Sequence, residues 1–187
     1  FPDRALYLMH YRGFGGSSGG PSEAALVADA LALHDHVAPA HGSIVAVGRS
    51  LGSGVAIQLA AARAVDGLVL VTPFNSVLEL ASDLYPWLPV DWLLRDRFES
   101  WRHAARVTVP TRFVVAERDD IVPIASSDRL QRHFRADLVT RVRIPGSDHI
   151  TILDAPAFGA AVALPEASGS ARLPAAAGDE GRRRDRS

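Results

Sequence analysis

Apolar and polar positions alternate along this chain in blocks that switch between two periods. Residues 5–11 (ALYLMHY) read as a strand, and a glycine-dense loop follows from Tyr11 to Pro21. Ser22 then has the chemistry of a helix N-cap, with Glu23 in the first turn. Leu26, Ala30, Leu33 and Val37 recur at helical spacing, which predicts a helix to about residue 37. Residues 43–48 predict a strand, and residues 51–64 a helix directly after it. Residues 67–71 (GLVLV) form a short, wholly apolar run of the kind that both faces of a sheet bury. Residues 72–109 carry no strand pattern. Residues 111–116 predict a strand, 124–135 a helix, 138–144 a strand and 150–161 a short helix.

Strands that alternate with helices predict a parallel sheet covered on both faces, an α/β fold. In such sheets chemistry collects at the carboxyl ends of the strands. Ser50 follows one predicted strand. Glu117, Arg118, Asp119 and Asp120 follow another, and Ser147, Asp148 and His149 follow the last. The order is serine, acid, histidine. Ser50 also sits in Gly48-Arg49-Ser50-Leu51-Gly52, between a strand and a helix. That context makes a Gly-x-Ser-x-Gly a nucleophile elbow, a turn so tight that glycine fits at both flanks.

Composition narrows the reading. The 187 residues suit one domain, and a content of 48% hydrophobic and 22% charged residues is that of a globular protein. A net charge of -1 gives no bulk attraction to nucleic acid or to an anionic membrane. Without cysteine there is no disulfide, thiolate metal site or catalytic thiol, which fits a reducing, cytoplasmic setting. No apolar run reaches the ~18 residues that a membrane-spanning helix needs.

Five segments carry a family resemblance. They are Tyr11-Arg12-Gly13-Phe14-Gly15-Gly16-Ser17-Ser18-Gly19, Gly48-Arg49-Ser50-Leu51-Gly52, Thr72-Pro73-Phe74-Asn75-Ser76, Glu117-Arg118-Asp119-Asp120-Ile121-Val122-Pro123 and Gly146-Ser147-Asp148-His149. Together the chain resembles the α/β-hydrolases, and among them the serine aminopeptidase-like branch with its small lipase, esterase and thioesterase relatives. The resemblance implies Ser50 as nucleophile, Asp119 as acid and His149 as base, with Gly48 and Gly52 as elbow glycines. The Leu51 backbone N–H would be an oxyanion donor. Asp120 is the rival acid, and the family's Asp-x-x-Val-Pro spacing points to Asp119. The substrate implied is a small carboxylic ester, thioester or amide, cleaved through an acyl-enzyme with no cofactor and no metal.

The resemblance also implies what lies outside this sequence. Residues 5–11 resemble the family's fourth strand. The first three strands, and the loop carrying a second oxyanion donor, are then expected upstream in a longer parent. The alternative function is a non-catalytic remnant or interaction module with an incomplete oxyanion hole. The domain is expected over residues 1–161, with a cap-like segment at about 77–103. There Tyr85, Trp87 and Trp92 either pack into the core or shape an apolar substrate pocket. The Gly13–Gly20 loop lacks the glycine spacing of a nucleotide cradle. His34, His36 and His41 read as solvated helix-end residues. Residues 162–187, rich in Ala, Gly, Ser and Pro and ending in an arginine run, read as a disordered tail.

Overall fold

The computed structural model describes residues 4–163; the tail expectation falls almost wholly outside them. Helix α1 (Glu23–Val37) precedes strand β1 (Val45–Arg49), helix α2 (Leu51–Ala62) and strand β2 (Gly67–Val71). Short helices α3 (Val77–Leu84), α4 (Val90–Leu93) and α5 (Trp101–Ala104) fill the excursion before strand β3 (Thr111–Ala116). Helix α6 (Ile124–Gln131), strand β4 (Val139–Ile144) and helix α7 (Phe158–Val162) complete the order. The four strands are all parallel and lie in chain order, β1-β2-β3-β4.

Period-two alternation sorts the strand side chains onto two faces. Ala46, Leu68, Leu70 and Phe113 point to one core layer, where Ile57, Ala104, Leu130 and Phe134 from the helices meet them. Val69, Val71, Val114, Ala116 and Ile144 point to the other, under Ile152 and Ala161. Strand β2 is buried at all five positions, as its unbroken apolar run requires. A third cluster joins α1 to α2 through Leu26, Ala30, Val55, Phe74 and Phe98. The Glu23 carboxylate ties this corner together by accepting from Gln58 Nε2 and from the Phe98 N–H.

Three expectations need correction. Residues 5–11 form no strand. Met9 and Tyr11 turn onto the α1 cluster, while Leu6 and Leu8 stay exposed. A strand exists by its hydrogen-bonded ladder, and among the described residues this segment has no ladder partner. Strand β1 correspondingly has one neighbour only among the described residues, and its Val47 is 60% exposed. Second, His34 is buried, with its ring Nε2 against the Ala64 carbonyl at 2.9 Å. It shares a helix stripe with Leu26, Ala30 and Val37, so periodicity decides its fate over polarity. Third, Tyr85, Trp87 and Trp92 are 44%, 75% and 91% exposed and do not pack into the core. Pro86 and Pro89 break the chain into short turns there, and Tyr85 and Trp87 meet each other edge to face.

The loop after β2 is bolted to α6 by one carboxylate. Glu79 accepts from Arg129 at 2.6 Å, Asn75 Nδ2 at 2.7 Å and Ser126 Oγ at 2.9 Å. Burial pushes the Glu79 carboxyl up, but these donors outweigh it and hold it below its ordinary value. A depressed folded-state value contributes stability above the unfolded value, and that contribution disappears as pH falls through the folded one. The stability difference between the wild type and Glu79→Gln should therefore shrink as pH falls below the ordinary carboxylate range, followed by urea unfolding across pH. A second comparison separates core from edge. Phe113→Ala, which empties a fully buried site against Phe134, should cost about 3–5 kcal/mol. Val47→Thr at the exposed edge should stay within about 0.5 kcal/mol in the same titration.

Candidate active site

Strand β1 enters a turn that few residues tolerate. Ser50 has φ 50° and ψ -121°, a strained region for a residue with a Cβ. Its N–H donates to the Val71 carbonyl at 2.9 Å, which fastens the turn to β2. Its carbonyl accepts from the Ser53 N–H and from Ser53 Oγ, and α2 starts there. Gly48 is obligatory because a Cβ there would lie 2.3 Å from the Gly52 carbonyl oxygen and 2.7 Å from Ala56 Cβ. A Cβ on Gly52 would meet the Tyr11 hydroxyl at 3.1 Å. Half-burial pushes the Tyr11 phenol pKa up.

The other two strand ends bring His149 and Asp119 to Ser50. The Ser50 hydroxyl and His149 Nε2 are 3.0 Å apart. His149 Nδ1 lies 2.9 and 3.0 Å from the two Asp119 oxygens. An imidazole that donates from Nδ1 to the carboxylate presents Nε2 as the acceptor for the serine proton. Both partners are shielded, with side-chain exposures of 7% for His149 and 2% for Asp119. Asp119 is held by its own loop, accepting from the Val122 N–H at 2.7 Å and the Ile121 N–H at 3.1 Å. Those two bonds give physical content to the Asp-x-x-Val-Pro spacing. Asp148 turns away and caps the turn after His149, accepting from the Ile150 and Thr151 N–H groups. Leu51 opens α2, so its N–H is among those a helix leaves without an internal partner. Tyr85, Trp87 and Trp92 are not brought into this hydrogen-bonded group.

A buried acid, a histidine and an elbow serine at the carboxyl ends of parallel strands narrow the possible relatives. No protein-family model matches the chain. An uncharacterized protein of Mycobacterium tuberculosis is 40% identical over 151 residues, covering 78% of this chain and 53% of that protein. Lysophosphatidylserine lipase ABHD12 of Danio rerio is 33% identical over 145 residues, covering 67% of this chain and 38% of the lipase. Among solved structures, the monoacylglycerol lipase of Paleococcus ferrophilus superposes with a TM-score of 0.57 at 22% identity, over 80% of this chain and 76% of that one. The chain belongs to the α/β-hydrolase superfamily. It spans about half the length of the mycobacterial relative and less of the lipase.

Within the superfamily fold, two side chains join the site that sequence reasoning did not single out. Arg49, between Gly48 and Ser50, reaches the His149 carbonyl at 2.6 Å. Arg118 donates to the Gly146 carbonyl and steadies the histidine loop from β3. Both lie inside quoted motifs, but nothing in residue order tells where a long side chain will land. The elbow's tolerance is testable. Gly48→Ala forces a methyl into backbone and should abolish folding or lower the melting temperature by more than about 5 °C. Circular dichroism on heating reads the difference.

Proposed function

We propose that this α/β-hydrolase chain carries a serine hydrolase centre that cleaves a small carboxylic ester, thioester or amide through an acyl-enzyme. The observation that carries the reading is the continuous path Ser50 Oγ–His149 Nε2 and His149 Nδ1–Asp119, with spacings of 2.9–3.0 Å. In this mechanism His149 takes the Ser50 proton as Oγ attacks the carbonyl carbon. The resulting oxyanion sits at the amino end of α2, where the Leu51 N–H and the helix dipole favour negative charge. His149 returns the proton to the leaving group, and water repeats the sequence to release the acid. Asp119 keeps the imidazole in the productive tautomer and stabilises the imidazolium. No step needs a cofactor or a metal.

The names of the lysophosphatidylserine lipase and monoacylglycerol lipase relatives favour an ester with an apolar acyl chain. The exposed rings of Tyr85, Trp87 and Trp92 are the apolar surface we assign to that chain. The narrower serine aminopeptidase-like placement rests on the Tyr11-Arg12-Gly13 loop, whose tyrosine overlies Gly52. No helix among the described residues is long and apolar enough to cross a membrane.

A second reading is favoured by the edge of β1 that has no strand partner among the described residues, with Val47 exposed: an interaction module built on a hydrolase fold. Labelling separates the two. A fluorophosphonate probe should label the wild type at Ser50, and Ser50→Ala should remove the label. Ester turnover should fall about 10⁴-fold in Asp119→Asn and remain near wild type in Asp120→Asn. Label that survives Ser50→Ala, or equal losses in the two aspartate variants, contradicts the relay. A protein that takes no label and turns over no ester supports the interaction module.

A further inference from the structure

We propose that Arg49 is a positioning residue that fixes the His149 imidazole by holding its backbone. This inference rests on the proposed Ser50–His149–Asp119 relay. The guanidinium of Arg49 donates to the His149 carbonyl at 2.6 Å, across 100 residues of sequence. The next residue, Ser50, bonds the ring of the same histidine at 3.0 Å. Two successive residues of the elbow thus grip one residue, one by its main chain and one by its side chain.

The rest of the histidine loop explains why such a grip matters. Residues 146 and 147 are tied to the end of β3, through Arg118 to the Gly146 carbonyl, the Arg118 N–H to the Ser147 carbonyl, and the Gly146 N–H to Glu117. Asp148 then caps Ile150 and Thr151 beyond the histidine. The ties on either side hold the loop to β3 and to its own next turn. Arg49 is the tie that sets the His149 backbone against β1, the strand that delivers the nucleophile.

Strand geometry puts Arg49 in place for this. Val45, Val47 and Arg49 alternate onto one face of β1, and Arg49 pairs in register with Val71 of the layer beneath Ile152. The Arg49 side chain therefore rises on the face where the chain continues from His149 into the turn Thr151–Asp154. An exposed arginine on a strand end is ordinarily solvated. Here its charge-assisted bond is spent on a neutral carbonyl beside the reacting centre.

The test uses Arg49→Ala and Arg49→Lys, the latter keeping a cationic donor on a long stem. Two readouts are needed. The first is fluorophosphonate labelling of Ser50, resolved into probe affinity and the rate of the covalent step. The second is the low-field proton resonance of His149 Nδ1–H against Asp119, which exists whether or not the protein turns over any substrate. Arg49→Ala should slow the covalent step ~10–100-fold, leave probe affinity within about twofold, broaden or lose the low-field resonance, and keep the melting temperature. Arg49→Lys should recover most of both signals. Wild-type labelling and an unchanged resonance in Arg49→Ala overturn the proposal. So does a loss in Arg49→Ala that tracks a fall in melting temperature and is not recovered by lysine. Should the wild type take no label, the hydrolase reading fails, and the resonance alone decides: its loss in Arg49→Ala upholds the tie, and its persistence overturns it.

Discussion

Everything at this site depends on how closely the backbone approaches itself at Gly48 and Gly52. A single methyl on Gly48 would sit 2.3 Å from the Gly52 carbonyl oxygen. That closeness lets β1 reverse into α2 within one residue, and Ser50 absorbs the strain at φ 50°. The strain persists because both neighbours are held. The Ser50 N–H is bonded to β2, and α2 packs against β1 through Ala46, Ala56, Ile57 and Ala60. The position of Ser50 is thus set by core packing, with the side chain itself contributing little to where it stands. The same logic governs Asp119, whose carboxylate is steered by two backbone N–H groups of its own loop.

Most of this fold was legible in the chain because its two central strands, β2 and β3, are short and buried at nearly every position. Residues 67–71 and 111–116 match their predicted strands, since the apolar runs 67–71 and 113–116 between turn residues have few other fates. The failure at residues 5–11 has a different origin. Apolar alternation marks a segment that can pair, but pairing requires a free neighbouring edge placed alongside it. Met9 and Tyr11 found apolar cover on α1 instead. His34 departs in the opposite sense: a titratable side chain at a helix end predicts solvent exposure, yet its stripe carries it inward to the Ala64 carbonyl.

The site residues divide in the same way. Ser50, Asp119 and His149 could be singled out because each follows a strand and its motif fixes the local backbone. Asp119 and Asp120 are chemically identical, and only the turn to Val122 separates them. Arg49 and Glu79 act through side chains that cross between distant segments, over 100 and 50 residues. Residue spacing holds no information on such reach. The aromatic segment does not join the core: prolines break it into short helices, and Trp87 and Trp92 stay exposed.

The sheet's strand order has a consequence for synthesis. Because β1, β2, β3 and β4 lie side by side in the order they are made, each strand's next neighbour in the sheet is also the next one synthesised. The elbow can close early, once β2 has left the ribosome. Its histidine arrives 99 residues after its serine. At ordinary translation speeds that is a delay of roughly 5–20 s. During that interval the nascent chain holds the elbow segment without the imidazole that lies 3.0 Å from the Ser50 hydroxyl in the finished fold.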